Sequence, residues 1–405
     1  MYVASSAITA SINDAVRTLE LAKRVNPQVV TLLGGVHPTL CYEEVLTATS
    51  AVDYIICGEG EATLRELLQT LEAGGSPDGI PGLAFRRHGE IVTTAPRIVT
   101  GSIDDLPAAW DLLQWPEYKY FILPDARLGA INTSRSGDQR RSRDPRKVAA
   151  EIAHLHETYA IDVFLLADEH PAIDRDSWEL LLDLLIERNL PIHLLMQACP
   201  ADIVRDRDIM PKYRRAGVLH VYVNFAADDQ QPLDHSRHGL KVTEGKLALD
   251  IIHEHGMVSE ASFVVGGPDE TKASMEATLQ LAQQCNPDNA QFLPLTPWPH
   301  DAAYDNVRQY VRVHDYSKYN LIDPVIEPEK MSLVQVDGAI MDCYRRFYMG
   351  KLLDVVTMKD TFKRDYLMRA MKLMMVNPFI LKKLGMGPLG KVSAKIGDMM
   401  HKEKS

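Results

Sequence analysis

The sequence predicts an α/β protein: a parallel, partial Rossmann-like sheet, then a partial β/α (TIM-type) barrel, then a helical basic tail. Two observations carry that reading. Strand-patterned and helix-patterned segments alternate from Met1 to about Gly75 and again from Gly129 to Pro294, the rhythm of parallel sheets joined by helical crossovers. The stretch from Gly129 to Pro171 supplies the second. It reads as a strand, an arginine-rich loop, a helix and a further strand ending in carboxylates, where β/α barrels gather their chemistry.

In the first 75 residues, strands are expected at Tyr2–Ile8, Gln28–Leu33 and Val52–Cys57. Helices follow from Ser11 to Val25, from Tyr42 to Thr49 and from Gly58 to Leu71. Gly34 and Gly35 come after the second strand, Gly58 and Gly60 after the third. At the carboxyl ends of parallel strands, glycines let a ligand come close to the backbone. Residues 76–128 read as a connector broken by Pro77, Pro81, Pro96, Pro107, Pro116 and Pro124, with a hairpin turning at His88-Gly89. Its aromatics Trp110, Trp115, Tyr118, Tyr120 and Phe121 read as a strap against the barrel, the alternative being a platform for a planar macrocycle.

The barrel begins with the strand Gly129–Ser134 and the loop Arg135–Arg143. Asp144 offers an N-cap oxygen and Pro145 suits the first helical position. Val148, Ile152, Leu155 and Tyr159 recur at helical spacing. The buried strand Ile161–Ala167 then delivers Asp168, Glu169 and His170 to its end. Helices Trp178–Arg188, Asp206–Ala216, Thr243–His255 and Lys272–Gln284 alternate with strands His193–Gln197, Leu219–Asn224, Ala261–Val265 and Ala290–Pro294. The chain turns irregular from Tyr304 and helical from about Met331 to Leu353, and from Lys359 it is rich in lysine and methionine. The expected domains are therefore 1–75, 76–128, 129–303 and 304–405.

A formal net charge of −11 gives no support to a nucleic-acid partner. The five cysteines are odd in number and scattered, neither a disulfide framework nor a zinc signature, so a reducing, cytoplasmic setting is expected. The N-terminus lacks a signal-peptide pattern, and no stretch is long and apolar enough to span a bilayer. The segment Met368–Val376 could make weak peripheral membrane contact as a basic amphipathic helix, the plainer reading being methionines packed on the barrel.

Several segments carry a resemblance: Leu165–Arg175 with Arg143–Lys147 before it, Leu33–Pro38, Gly58–Glu61, Thr296–Pro299 and Tyr344–Met349. Together they resemble the anaerobic magnesium-protoporphyrin IX monomethyl ester oxidative cyclases, a family of cobalamin-binding radical S-adenosylmethionine (SAM) proteins. The resemblance implies that residues 1–75 correspond to the last three strand–helix units of a cobalamin-binding domain. The first two strands are then absent, and the strand at Met1 is left with an unpaired edge. It also implies an open, six-stranded partial barrel from Gly129, and chemistry that forms the fifth ring of bacteriochlorophyll with cobalamin, SAM and a [4Fe–4S] cluster.

The family places three cysteines, spaced Cys-x3-Cys-x2-Cys, directly after the arginine that corresponds to Arg135. Here no cysteine lies between Cys57 and Cys199. A cluster needs several thiolates converging on it. Cys199 stands where the family carries an arginine at the end of the third barrel strand. Asn224, Phe225 and Ala226 stand where it has Gly-Thr-Glu after the fourth; both family positions help hold SAM.

The candidate residues follow from both readings. Asp168, Glu169 and His170, at a strand end, read as inherited structure that caps the next segment and bonds the loop, the alternative being an acid–base cluster. Gly34, Gly35, Gly58 and Gly60 are candidates for cobalamin, and Gly266 and Gly267 for the second cofactor. Arg135 and Arg143, with Trp298, would meet a tetrapyrrole, guanidinium forks suiting its propionates. No metal site is expected. His154 and His156, like His253 and His255, are two apart on helices, so about 200° of rotation separates them. His235 and His238, beside Asp234, lack a third ligand.

These readings converge on a degenerate, non-catalytic relative of the cyclase that binds a tetrapyrrole or cobalamin. One alternative is an active B12-dependent radical SAM cyclase whose cluster loop is missing from this sequence or supplied by a partner. Another is a structural partner of an intact cyclase, docked through the open sheet edge.

Overall fold

The protein is described here from a computed structural model, which covers residues 1–99, 101–135, 140–224 and 242–376. Its residues form two compact units. One contains Met1–Leu106, Gly266–Glu270 and Pro294–Val336; the other contains Pro107–Val265, Thr271–Leu293 and the chain from Asp337.

The first unit is a five-stranded sheet in the order β1-β2-β3-β4-β5. Its elements are β1 (Tyr2–Ser6), α1 (Ile12–Val25), β2 (Val30–Gly34), α2 (Val36–Leu40), α3 (Tyr42–Ala48), β3 (Tyr54–Ile56), α4 (Gly60–Glu72), β4 (Leu83–Arg87) and β5 (Glu90–Thr93). The strands β1, β2 and β3 pair in parallel, as their helical crossovers require. Strand residues alternate between two apolar layers. Leu33, Ile55 and Ala84 join Leu19 of α1 and Val45 of α3 on one face. Leu32, Ile56, Leu83 and Phe85 join Leu67 of α4 on the other. This is the doubly wound arrangement expected from the β-α-β rhythm.

The hairpin read as part of a connector instead extends this sheet, β4 running antiparallel to β3. His88 and Gly89 both have positive φ (53° and 88°), the conformation a two-residue hairpin turn demands. The short helix α2 was not legible in the sequence because it carries Pro38; proline is tolerated there only because it falls in the first turn. Among the described residues, strand β1 pairs with β2 and forms one edge of the sheet.

The second unit holds a six-stranded sheet in the order β13-β12-β11-β10-β9-β6. Its path is β6 (Leu128–Ile131), β7 (Ser134–Arg135), β8 (Arg141–Ser142), α5 (Pro145–Tyr159), β9 (Val163–Leu166), α6 (Arg175–Arg188), β10 (His193–Ala198), α7 (Pro200–Arg205), α8 (Met210–Arg215), β11 (Val218–Asn224), α9 (Val242–Glu254), β12 (Val258–Val265), α10 (Lys272–Cys285) and β13 (Asn289–Pro294). The pairs from β6 through β12 are parallel. Asp144 caps α5 by accepting from the Arg146 N–H at 2.9 Å.

The helix expected over Asp206–Ala216 is realised only as α8, and a break separates it from α7, which was not expected. Asp206 ends α7 and Pro211 starts α8, where its missing N–H costs nothing. The buried Asp206 carboxylate accepts from Arg205 and from the Tyr213 hydroxyl across that break.

The single-turn α11 (Tyr304–Val307) returns the chain to the first unit; α12 (Leu333–Val356) and α13 (Thr361–Val376) follow. Val355, Tyr366, Leu367 and Met371 of these last helices pack on Leu219 and Val258 of the barrel strands. The described part of the basic tail thus has a packed face; residues 377–405 lie outside the described residues. Trp115 is buried, 5.5 Å from the Tyr159 ring and 5.8 Å from that of Trp110, whose indole N–H donates to Glu151. The aromatic strap therefore packs on α5, whereas Phe121 and Tyr118 are exposed. No helix among the described residues is long and apolar enough to cross a membrane.

Candidate functional site

At the carboxyl ends of β6 and β9, the loop that should house chemistry closes on itself. Ser134 pairs with Ser142 and Arg135 with Arg141, so β7 and β8 form a minimal antiparallel ladder. Residues 136–139 at its tip lie outside the described residues. Asp168 anchors the base of this ladder. Its buried carboxylate accepts from the Thr133 N–H at 2.7 Å, the Ser134 N–H at 2.6 Å and the Ser134 hydroxyl at 2.7 Å. Three donors leave that carboxylate engaged in holding backbone, the structural reading of this residue.

Glu169 is exposed. His170 uses its carbonyl to accept from Arg140 at 2.6 Å. Arg143 is tucked in, its guanidinium 2.6 Å from Glu151 on α5 and donating to the Asn132 carbonyl. Beside these residues lies a small cleft lined among others by Thr133, Arg140, Ser142, Asp174 and Trp178. The buried Nε of Arg140 and indole N–H of Trp178 have no hydrogen-bond partner. Arg135 and Arg141 sit opposite each other in the ladder, so the basic loop is gathered at one strand end as the sequence suggested. Cys199 is the N-cap of α7, and Phe225 and Ala226 lie outside the described residues.

In the first unit, Gly34 ends β2 and Gly35 caps α2 with φ +100°. A Cβ on Gly35 would stand 2.5 Å from the Ala7 carbonyl and 2.8 Å from the Ser6 hydroxyl, so glycine is required for the close approach of this loop to the end of β1. Gly58 (φ +80°) has open space where a Cβ would sit, whereas a Cβ on Gly60 would press on Ile56. These glycines gather at the carboxyl edge of the parallel strands, where such sheets bind ligands. Gly266 and Gly267 belong to this same unit, and the buried Glu270 carboxylate accepts from the Gly266 N–H at 2.7 Å. Trp298 is half-buried in the segment that begins at Pro294.

One constellation escaped the sequence reading. Among the described residues, one group of histidine, cysteine and acidic side chains brings its ligand atoms close enough to share an ion: His37, Cys41 and His300. Burial lowers the pKa of His37 and His300, favouring neutral imidazoles, and raises that of the Cys41 thiol with help from Glu44. His37 and Cys41 are four apart at a helix start, a visible signal; His300 comes from a distant segment and gave none. The paired histidines have other partners: His156 bonds the Ile161 carbonyl, His255 that of Ile251, and His253 meets Ser259 and Asp288. Asp234, His235 and His238 lie outside the described residues.

Comparison with known proteins fits this architecture. The B12 binding domain family matches residues 1–68 and the radical SAM superfamily residues 125–282. The radical SAM methyltransferase TsrM from Kitasatospora setae, solved with cobalamin and a [4Fe–4S] cluster bound, superposes with a TM-score of 0.64 at 14% identity, over 85% of this chain and 78% of that one. The cobalamin-dependent radical SAM enzyme OxsB, solved with aqua-cobalamin and SAM, gives 0.58 at 12% identity over 99% and 67%. The fold is therefore that of the B12-binding radical SAM proteins.

Sequence similarity is narrower. The anaerobic magnesium-protoporphyrin IX monomethyl ester cyclase of Rubrivivax gelatinosus is 33% identical, over 96% of this chain and 73% of its own length. That of Cereibacter sphaeroides is 34% identical, over 91% of this chain and 63% of its own. The chain belongs to the anaerobic magnesium-protoporphyrin IX monomethyl ester cyclase family.

Within that family, the residues present do not fit a [4Fe–4S] cluster. Five cysteines are free, and the one ligand group named above contains a single thiol. Burial pushes the thiols of Cys57 and Cys285 up to about 11. At the glycine-lined edge of the first sheet, a Cβ on Gly58 would meet open space.

Proposed function

We propose that this chain is a non-catalytic member of the cyclase family that has kept a binding role, with cobalamin or a tetrapyrrole as its ligand. The observation that carries this reading is the loop between Ser134 and Arg143: it holds no cysteine, and its ends zip together as β7 and β8. The replacement of family SAM positions by Cys199 and by Asn224-Phe225-Ala226 supports it, because loss of one loop would leave distant ligand-binding residues intact. Cobalamin would lie against Gly34, Gly35, Gly58 and Gly60. A tetrapyrrole would use the guanidinium groups of Arg135 and Arg143. A second reading, a structural partner of an intact cyclase, draws on β1, which has a strand on one side only among the described residues.

The test is an anaerobic absorbance titration of the purified chain with hydroxocobalamin and, separately, with magnesium-protoporphyrin monomethyl ester. A saturable spectral shift with one of them is expected. No shift with either, well above the concentrations of ordinary cofactor sites, rules out the binding role.

A further inference from the structure

The cluster at the carboxyl edge of the first sheet has the composition of a metal site. One ring nitrogen each from His37 and His300 and the sulfur of Cys41 all lie within 4.8 Å of one another. All three residues belong to the same compact unit. In a tetrahedral zinc site, bonds of roughly 2.0–2.3 Å put ligand atoms about 3.3–3.8 Å apart. Closure by about an ångström, within the reach of side-chain rotation, brings these three into range.

A second, independent observation points the same way. His37 Nε2 and His300 Nδ1 are buried and have no hydrogen-bond partner. Buried polar atoms are nearly always paired, so two orphans on rings that meet at one thiol call for a ligand between them. The His37 ring is also held as metal-bound imidazoles usually are. Its Nδ1 lies 3.1 Å from the Thr9 hydroxyl, leaving Nε2 for the ion, and Tyr316 packs edge-on at 5.0 Å. The Tyr316 hydroxyl in turn donates to Glu44 at 2.9 Å, placing a carboxylate in the outer shell.

We propose that His37, Cys41 and His300 bind a thiophilic divalent cation, zinc in the first instance, and leave its fourth position to an exchangeable ligand. Two imidazoles and a thiolate disfavour magnesium and calcium, which take oxygen donors. Three protein ligands with one open position is the pattern of zinc sites that exchange a ligand. The thiol proton leaves when the ion binds. This site shares its sheet edge with the glycines of the cobalamin reading but uses side chains rather than backbone, so it is tested with no cobalamin present.

The experiment uses the full chain, stripped with chelator, free of cobalamin, and titrated with cobalt(II) and then zinc(II). Cobalt should give a thiolate-to-metal charge-transfer band in the near ultraviolet and the intense visible bands of a four-coordinate ion, saturating at one equivalent. Zinc should erase both. Cys41→Ser should abolish the charge-transfer band, and His300→Gln should weaken binding by about tenfold or more, worth roughly 1.4 kcal/mol. Absence of the band in the unaltered protein at saturating cobalt overturns the assignment, and so does a band that survives Cys41→Ser.

Discussion

Asp288→Asn is expected to destabilise the barrel unit by about 3–5 kcal/mol, the usual cost of removing one partner from a buried ion pair. Asp288 opens the turn into β13 and is almost wholly buried. Its carboxylate accepts from the Ser259 N–H at 2.9 Å, lies 2.8 Å from Lys363 Nζ and 3.3 Å from His253 Nε2. Lys363 is itself buried and also donates to the Met257 carbonyl at 2.8 Å, so this group pins α13 to the barrel strands. Burial alone would raise the Asp288 carboxyl. The hydrogen bond from His253 and the charge of Lys363 win, and hold it far below the usual carboxylate range.

The sign of the pH effect follows. A depressed folded-state pKa gives stability that is present above the unfolded value of about 3.9 and is lost as pH falls below it toward the folded value. Urea melts of the unaltered chain should therefore lose stability as pH drops through about 4, and the Asn variant should show a shallower acid slope. Equal slopes, or a loss below about 1 kcal/mol at neutral pH, would contradict the assigned role.

Asp168→Ala is expected to cost about 3 kcal/mol, because it leaves the half-buried Thr133 and buried Ser134 N–H groups without an acceptor. Asp168→Asn should recover part of that loss, since its amide oxygen still accepts. Thermal melts read the stability, and hydrogen exchange at Ser134 and Arg143 reads opening of the β7–β8 ladder. A catalytic acid or base would behave differently, its Asn variant keeping full stability. An Ala variant as stable as the parent would remove the structural role.

The sequence exposed most of this architecture because its signals are local. The helix from Pro145 announces itself by Asp144, Pro145 and the spacing of Val148, Ile152 and Leu155, and the hairpin by His88-Gly89. What local signals could not supply was partnership. The β4–β5 hairpin looked like a linker because nothing in its own residues names β3 as its neighbour. Helix α7 was missed and α8 was started too early, at Asp206, whose buried contacts with Arg205 and Tyr213 are not named by its own neighbours in the sequence.

The same limit applies to the sites. Asp168 was recognisable as a strand-end carboxylate, but its three donors come from the neighbouring strand's end, so its role was undecidable from the chain alone. His300 could not be joined to His37 and Cys41 without the fold. The missing thiols, by contrast, were fully legible, since an absent residue needs no geometry.

The most direct test of the central claim is anaerobic reconstitution of the purified chain with iron and sulfide, read by iron and sulfide counting and by electron paramagnetic resonance after reduction. No stoichiometric [4Fe–4S] cluster and no cleavage of SAM are expected. A full complement of cluster iron with a SAM-responsive signal would contradict that claim, and would restore the chain to the catalysts of its family.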